Sequence, residues 1–356
     1  MNKVTAKEHK IRVGITHGDF NGISYEIILK TLNDHRLLDL FTPVIYGLSK
    51  VLAFYRKNLN FKDFNYNILP ANFQQLPSKK INIVNLSNEP VKIMTGKATE
   101  EAGKYAVEAL KKALEDLNQA KIDVLVTAPI NKSNTYSETF PFAGHTDFFA
   151  EEYGKKEVLM LMVHNELRIG TVTNHLPLKE VPENITEEKI VSKLAILDHT
   201  LKRDFNISRP KIAVLGLNPH AGDNGLLGNE EKEIIHPAIS KMKNKNLLVY
   251  GPFPADGFFS SGKYTKYDAI LAMYHDQGLI PFKLLAGDAG VNYTAGLPIV
   301  RTAPAHGTAY DIAGKNIASE RSLREAIYLA VDIFKNRRQY DEERANPLAV
   351  TTNNRS

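Results

Sequence analysis

Residues 100–127 read EEAGKYAVEALKKALEDLNQAKIDVLVT. Ala102, Tyr105, Ala106, Ala109, Leu110, Ala113, Leu114 and Leu117 fall on one face of a 3.6-residue period, which predicts an amphipathic helix. Asp123–Thr127 follows as a short apolar run suited to a buried strand. The same alternation extends outward in both directions. Ile11–Thr16, Pro43–Tyr46, Ile81–Val84, Val158–Val163, Lys211–Leu215, Leu247–Tyr250 and Ala269–Met273 read as further strands. Toward the C-terminus, Ser322 and Glu325 predict a capping box. Leu323, Ala326, Ile327, Ala330 and Ile333 supply the apolar stripe behind it, and Lys335, Arg337 and Arg338 suit the C-terminal end of a helix dipole. Together these segments predict an α/β chain with a largely parallel sheet covered by helices on both faces. Pro- and Gly-rich punctuation at 127–133 and 292–298 marks crossings between two domains.

The composition narrows the chemistry. A chain of 356 residues can build two domains or one large α/β unit, and 43 % apolar with 24 % charged residues excludes wholesale disorder. With no cysteine there can be no disulfide scaffold, thiolate metal site, iron–sulfur cluster or cysteine nucleophile. A metal would therefore be held by nitrogen or oxygen. The net charge of +5 is spread along the chain without a run of five like charges, which favours a local anion pocket over a nucleic-acid partner. Residues 1–10 lack the apolar core of a signal peptide and no stretch of 18 apolar residues exists, so a soluble, cytoplasmic protein with no membrane partner is expected.

Three of the eleven histidines follow apolar strands directly: His175 in TNHLP, His220 in NPHAG and His275 in MYHDQG. Strand-end loops are where open α/β sheets bind ligands. Three neutral imidazoles could hold a divalent ion there with positions left open for substrate, although three hydrogen-bonded loop histidines would look the same. Nearby, Gly144-His145-Thr146 precedes a predicted helix and offers an imidazole, a hydroxyl and backbone N–H groups to an anion. Lys283 and Arg301 lie close in sequence to these loops and suit a phosphate or carboxylate. Gly18–Gly22 follows the first strand as a phosphate turn would, but it is neither GxGxxG nor a Walker loop. His306–Lys315, HGTAYDIAGK, combines small residues with His and Asp groups able to bond a ribose or base.

Four segments carry a closer likeness: GLNPHAGDNGLLGNEE from Gly216, GPFPADGFF from Gly251, MYHDQGLIPFK from Met273, and GVNYTAGLPIVRTAPAHGTAYDIAGK from Gly290. They resemble the signature segments of the 4-hydroxythreonine-4-phosphate dehydrogenase family of pyridoxal 5′-phosphate biosynthesis, in order over nearly the whole chain. The resemblance implies an isocitrate/isopropylmalate dehydrogenase-like fold of two α/β domains with a cleft between them. Its boundaries would be a discontinuous nucleotide-binding domain of residues 1–132 plus 297–340, a metal, substrate and dimerisation domain of 133–296, and a disordered tail of 341–356.

The implied activity is NAD-dependent (or NADP-dependent) oxidation of 4-phosphooxy-L-threonine to a 2-amino-3-oxo acid that decarboxylates to 3-amino-2-oxopropyl phosphate. The resemblance also implies a homodimer whose subunits share one divalent metal ion (Zn, Mg, Mn or Co) bound by His175, His220 and His275. His145, Thr146, Lys283, Asn292 and Arg301 would bind the substrate. His306, Gly307, Thr308 and Asp311 would bind the nucleotide, and Asp276 and Asp256 would be active-site carboxylates. Departures from the family pattern are Phe20 and Tyr25 in place of two prolines, Asp147 in place of Glu, and Ala305 in place of Asp. They leave room for a sibling substrate, a phosphorylated threonate or erythronate. An acyl-phosphate acyltransferase of similar fold is disfavoured by the three histidines and the His306–Lys315 loop.

Overall fold

The computed structural model describes residues 10–142 and 144–345. The N-terminal stretch 1–9 and the stretch 346–356, most of the expected tail, lie outside the described residues. Twelve strands form one sheet: β1 Arg12–Thr16, β2 Thr42–Gly47, β3 Tyr66–Leu69, β4 Ile81–Asn85, β5 Val124–Thr127, β6 Leu159–His164, β7 Leu167–Thr171, β8 Lys211–Leu215, β9 Leu248–Phe253, β10 Ala269–Ala272, β11 Val291–Ala295 and β12 Arg301–Pro304. Their order is β3-β4-β2-β1-β5-β12-β11-β6-β7-β10-β8-β9.

All eight strands expected from the sequence are present. The sheet is parallel from β3 to β12 and again from β7 to β9. Between these halves, β11 runs antiparallel to both β12 and β6, and β6 is antiparallel to β7. The two parallel halves therefore point in opposite directions across a central seam. Apolar clusters cover both faces of the sheet, as the continuous apolar strands require.

The helix over Glu100–Asn118 shows how local sequence builds this frame. Thr99 caps it by accepting a hydrogen bond from Ala102 N at 3.2 Å, and Glu100 and Glu101 suit the positive end of its dipole. Its predicted apolar face is buried from Ala102 to Leu114, Leu117 remaining partly exposed. Phe20 and Tyr25 are also fully buried. Tyr25 accepts from Leu48 N at 2.9 Å and donates to Leu48 O at 3.2 Å, so aromatic packing fixes the first turn in place of proline.

Two C-terminal expectations need correction. Ser322 does not cap its helix: its hydroxyl donates to Gly290 O at 2.5 Å and accepts from Ala305 N at 3.0 Å, pinning the helix to the sheet. That helix runs over Arg321–Ala345, five residues into the stretch expected to be tail. Arg337 is consequently mid-helix rather than at its end. It is buried and paired with buried Asp204 at 2.7 Å, while Tyr293 donates to the same carboxylate at 2.5 Å. Breaking such a pair leaves an uncompensated buried charge. Arg337→Met should thus lower stability by about 3–5 kcal/mol, read as a fall in the urea midpoint.

Candidate active site

The sheet seam opens into a cavity of about 690 Å³ lined from both halves. Thr127 at the end of β5, Asn292 of β11 and Arg301 of β12 meet Met160 and Met162 of β6 there. The loop after β7 contributes His175, and the helix His275–Ala286 contributes His275 and Lys283. His145 and Thr146 line it from the first turn of the helix His145–Glu152, and His306 and Gly307 close another side. Nine of the residues proposed from sequence thus share one space.

Arg301 decides the character of that space. Its side chain is among the largest fully buried ones, at 2 % exposure. Nε and Nη2 donate to Thr127 Oγ1 and Nη1 donates to Thr294 Oγ1, so two neutral hydroxyls hold the guanidinium. Among the described residues no carboxylate lies within ion-pair distance of it. Burial alone pulls its pKa down from the usual 12.5 to about 9. A cation desolvated without a counter-charge costs several kcal/mol unless an anion arrives to complete it.

Other groups around the cavity are equally incomplete. His145 Nε2, His306 Nε2 and Asn292 Oδ1 are buried and have no hydrogen-bond partner among the described residues. Burial, then Arg301 and Lys132, push the His145 pKa well below its ordinary value, so its imidazole is neutral at pH 7. Burial likewise lowers His306. Among the described residues, Lys132, Lys189, Lys193, Lys283 and Arg301 line the cavity against only Asp147 and Glu157, and Glu157 is already paired with Lys193 at 2.5 Å. The space is built for a small, multiply charged anion.

The histidine and carboxylate expectations divide. The rings of His175 and His275 lie 5.6 Å apart. Burial, followed by Lys132 and His275, lowers the His175 pKa and keeps it a neutral donor. His275 Nδ1 contacts Asp276 Oδ1 at 2.7 Å; a neutral ring that donates from Nδ1 to this carboxylate carries its lone pair on Nε2. His220 is exposed and lies outside the cavity, and no group of three metal-ligating side chains occurs among the described residues. Asp276 at 71 % exposure and exposed Asp256 are also outside the lining.

His220 occupies an unusual backbone. From His220 to Gly225 six consecutive residues have positive φ: 55°, 53°, 80°, 42°, 58° and 99°. The left-handed conformation costs non-glycine residues about 1–2 kcal/mol each, so packing must hold this loop. Thr308 and Asp311 also stand back from the cavity. Thr308 O accepts from Ile23 N at 3.0 Å, and Asp311 is exposed. Gly18–Gly22 serves the same loop: Asp19 Oδ2 accepts from Tyr310 Oη at 2.7 Å and from Asn134 Nδ2 at 2.8 Å. Sequence reasoning missed Lys132 as a lining cation because the motif around it has no phosphate-loop spacing. Asp147 was noticed only as a substitution.

The chain matches the family model described as pyridoxal phosphate biosynthetic protein PdxA over residues 39–330. It belongs to the PdxA family. Among its relatives, a 4-hydroxythreonine-4-phosphate dehydrogenase of Bacteroides thetaiotaomicron is 52 % identical over 343 residues, covering 96 % of this chain and 94 % of that protein. A protein of Oceanobacillus iheyensis provisionally named a D-threonate 4-phosphate dehydrogenase is 38 % identical, with 90 % and 97 % covered. The solved 4-hydroxythreonine-4-phosphate dehydrogenase of Klebsiella pneumoniae superposes with a TM-score of 0.76 at 32 % identity, covering 92 % of this chain and all of that one. This PdxA chain is thus a dehydrogenase of the α/β class, and its family's connection is to pyridoxal phosphate biosynthesis. Among the described residues no helix is long and apolar enough to cross a membrane.

Proposed function

We propose that this PdxA-family dehydrogenase oxidises the C3 hydroxyl of 4-phosphooxy-L-threonine, giving a 2-amino-3-oxo acid that loses CO₂ to leave 3-amino-2-oxopropyl phosphate. The observation that carries this reading is Arg301, a buried cation without a counter-charge, facing a cavity whose other buried polar atoms also lack partners. A terminal phosphate would complete them. Arg301 and Lys283 would supply charge, while His145, Thr146 and Asn292 would supply neutral hydrogen bonds. Binding energy gained at this remote group then serves orientation at the reacting carbon.

His175 and His275 have the donor chemistry and proximity for a divalent ion (Zn, Mg, Mn or Co), and the third imidazole would be His220 of the partner subunit in a homodimer. Bound there, the ion would lower the pKa of the substrate hydroxyl, and NAD (or NADP) would accept the hydride. Asp276 would fix the tautomer of His275 through Nδ1, leaving the Nε2 lone pair for the ion. Asp276 and Asp256 are the proposed carriers of the hydroxyl proton. His306 and Gly307 line the edge of the cavity toward the loop that continues through Thr308 and Asp311, where the nucleotide would sit. In this scheme residues 1–132 with 297–340 form the nucleotide lobe and 133–296 the substrate lobe, and the work is done in the cytoplasm.

The test is NADH formation from a substrate panel: 4-phosphooxy-L-threonine, D-threonate 4-phosphate, and both without phosphate, each with NAD and NADP. Turnover should require the phosphate, favour the amino acid, disappear with a chelator and return on adding a divalent ion. Faster turnover of the threonate would reassign the substrate, and full activity after chelation would remove the metal from the scheme.

A further inference from the structure

We propose that Glu231 is the positioning residue that holds His220 in the conformation needed to reach a partner subunit's site; the inference rests on the shared-metal reading above. Glu231 is buried, at 4 % exposure, and its ion-pair distance holds no cation among the described residues. Its carboxylate instead collects neutral donors from the base of the left-handed loop. Oε1 accepts from Leu217 N at 2.8 Å and Asn218 N at 2.7 Å, and Oε2 accepts from Asn218 Nδ2 at 3.0 Å. Asn218 also reaches Glu230 Oε2 at 2.8 Å, so two neighbouring carboxylates grip the residue two positions before His220.

The loop is shaped around this carboxylate. A Cβ placed on Gly222, at φ +80°, would stand 2.6 Å from Glu231 Oε2. One on Gly216 would meet Glu231 Oε1 at 3.0 Å and the Ala221 backbone at 2.9 Å. Glycine is thus required where the chain folds over Glu231, and the strained residues beginning at His220 are wrapped on it. A buried carboxylate with three neutral N–H bonds is a poor way to gain stability alone, because its desolvation is only partly offset. Its geometric effect is specific: it fixes where the Leu217–Asn218 backbone ends and so the direction in which His220 projects. Outer partners of metal ligands tune affinity in this way without touching the ion.

The experiment compares full-length wild type, Glu231→Ala, Glu231→Gln and His220→Ala by Co²⁺ titration calorimetry, with amide hydrogen exchange of residues 217–228 in metal-free protein. Glu231→Ala should weaken Co²⁺ binding roughly tenfold to a hundredfold and speed exchange at Leu217 and Asn218. Glu231→Gln keeps an oxygen to accept from Leu217 N and Asn218 N but sets its NH₂ against Asn218 Nδ2, which Glu230 holds in place, so it should fall between wild type and Glu231→Ala. If Glu231→Ala is insoluble, Glu231→Asp, one methylene shorter, should show an intermediate loss. Wild-type affinity in Glu231→Ala (or Glu231→Asp), with affinity lost in His220→Ala, overturns the positioning role alone. Wild-type affinity in His220→Ala sinks the shared-site reading and this inference with it.

Discussion

Replacing His275 by alanine should reduce turnover by more than about a hundredfold while leaving the fold intact, because removing even an outer partner of a metal ligand costs 10–100-fold. His275 is the first residue of its helix and about one-third exposed, so alanine there removes no core packing. The loss should appear in kcat and in divalent-ion affinity together, while the melting temperature of metal-free protein is unchanged. Asp276→Asn is the graded companion. It keeps the size but weakens the 2.7 Å contact that sets the His275 tautomer, so it should fall between wild type and His275→Ala. Unchanged turnover in His275→Ala would exclude that imidazole from the chemistry. Equal loss in both variants would make proton transfer by Asp276, rather than its hold on the His275 tautomer, its main role.

The second large effect concerns Arg301, where binding and stability should move in opposite directions. Arg301→Met removes the cation that would face the substrate phosphate in the proposed scheme. Truncating one side of a buried charge pair costs about 2–5 kcal/mol, roughly thirtyfold to several thousandfold in affinity, so KM should rise by that factor with a smaller change in kcat. In the empty protein the same substitution removes a buried charge that only Thr127 and Thr294 hydroxyls support. The melting temperature should therefore hold or rise. A structural arginine would do the reverse: KM would barely move and the melting temperature would fall. Kinetics and thermal melts on one protein preparation separate the two.

Much of this site was legible because loops after apolar strands are readable and the binding residues are chemically distinctive. His145, His175, Lys283, Arg301 and the loop beginning His306-Gly307 were found by type and position, and the structure brings them to one cavity. Resemblance extended the reading to Asn292. What stayed hidden depended on partners distant in sequence. β11 looks like Gly- and Pro-rich punctuation and β12 is too short to stand out until each gains a neighbour to bond, and β7 becomes a strand only by folding back on β6. Edge strand β3, with Ile68 59 % exposed, has little apolar signal of its own. The hydroxyl of Ser322 matched a helix cap by spacing, but Gly290 and Ala305 took it. Nothing local distinguishes His220 from His275, because what separates them is a run of left-handed backbone.

The place of β12 in the sheet bears on the order in which the protein comes into being. Arg301 pairs with Leu125 and Thr302 with Val126, partners some 176 positions earlier in the chain. Strands β1 to β5 are therefore left with an open edge until residues 301–304 have left the ribosome. Closing so long a loop is entropically slow, and an uncovered apolar edge invites wrong pairings while it waits. The strand that seals that edge is also the one that delivers Arg301 to the cavity. A chain released before β12 docks would thus lack the buried cation of its cavity as well as these sheet contacts, so on the proposed role of Arg301 catalytic competence should appear only once β12 has docked.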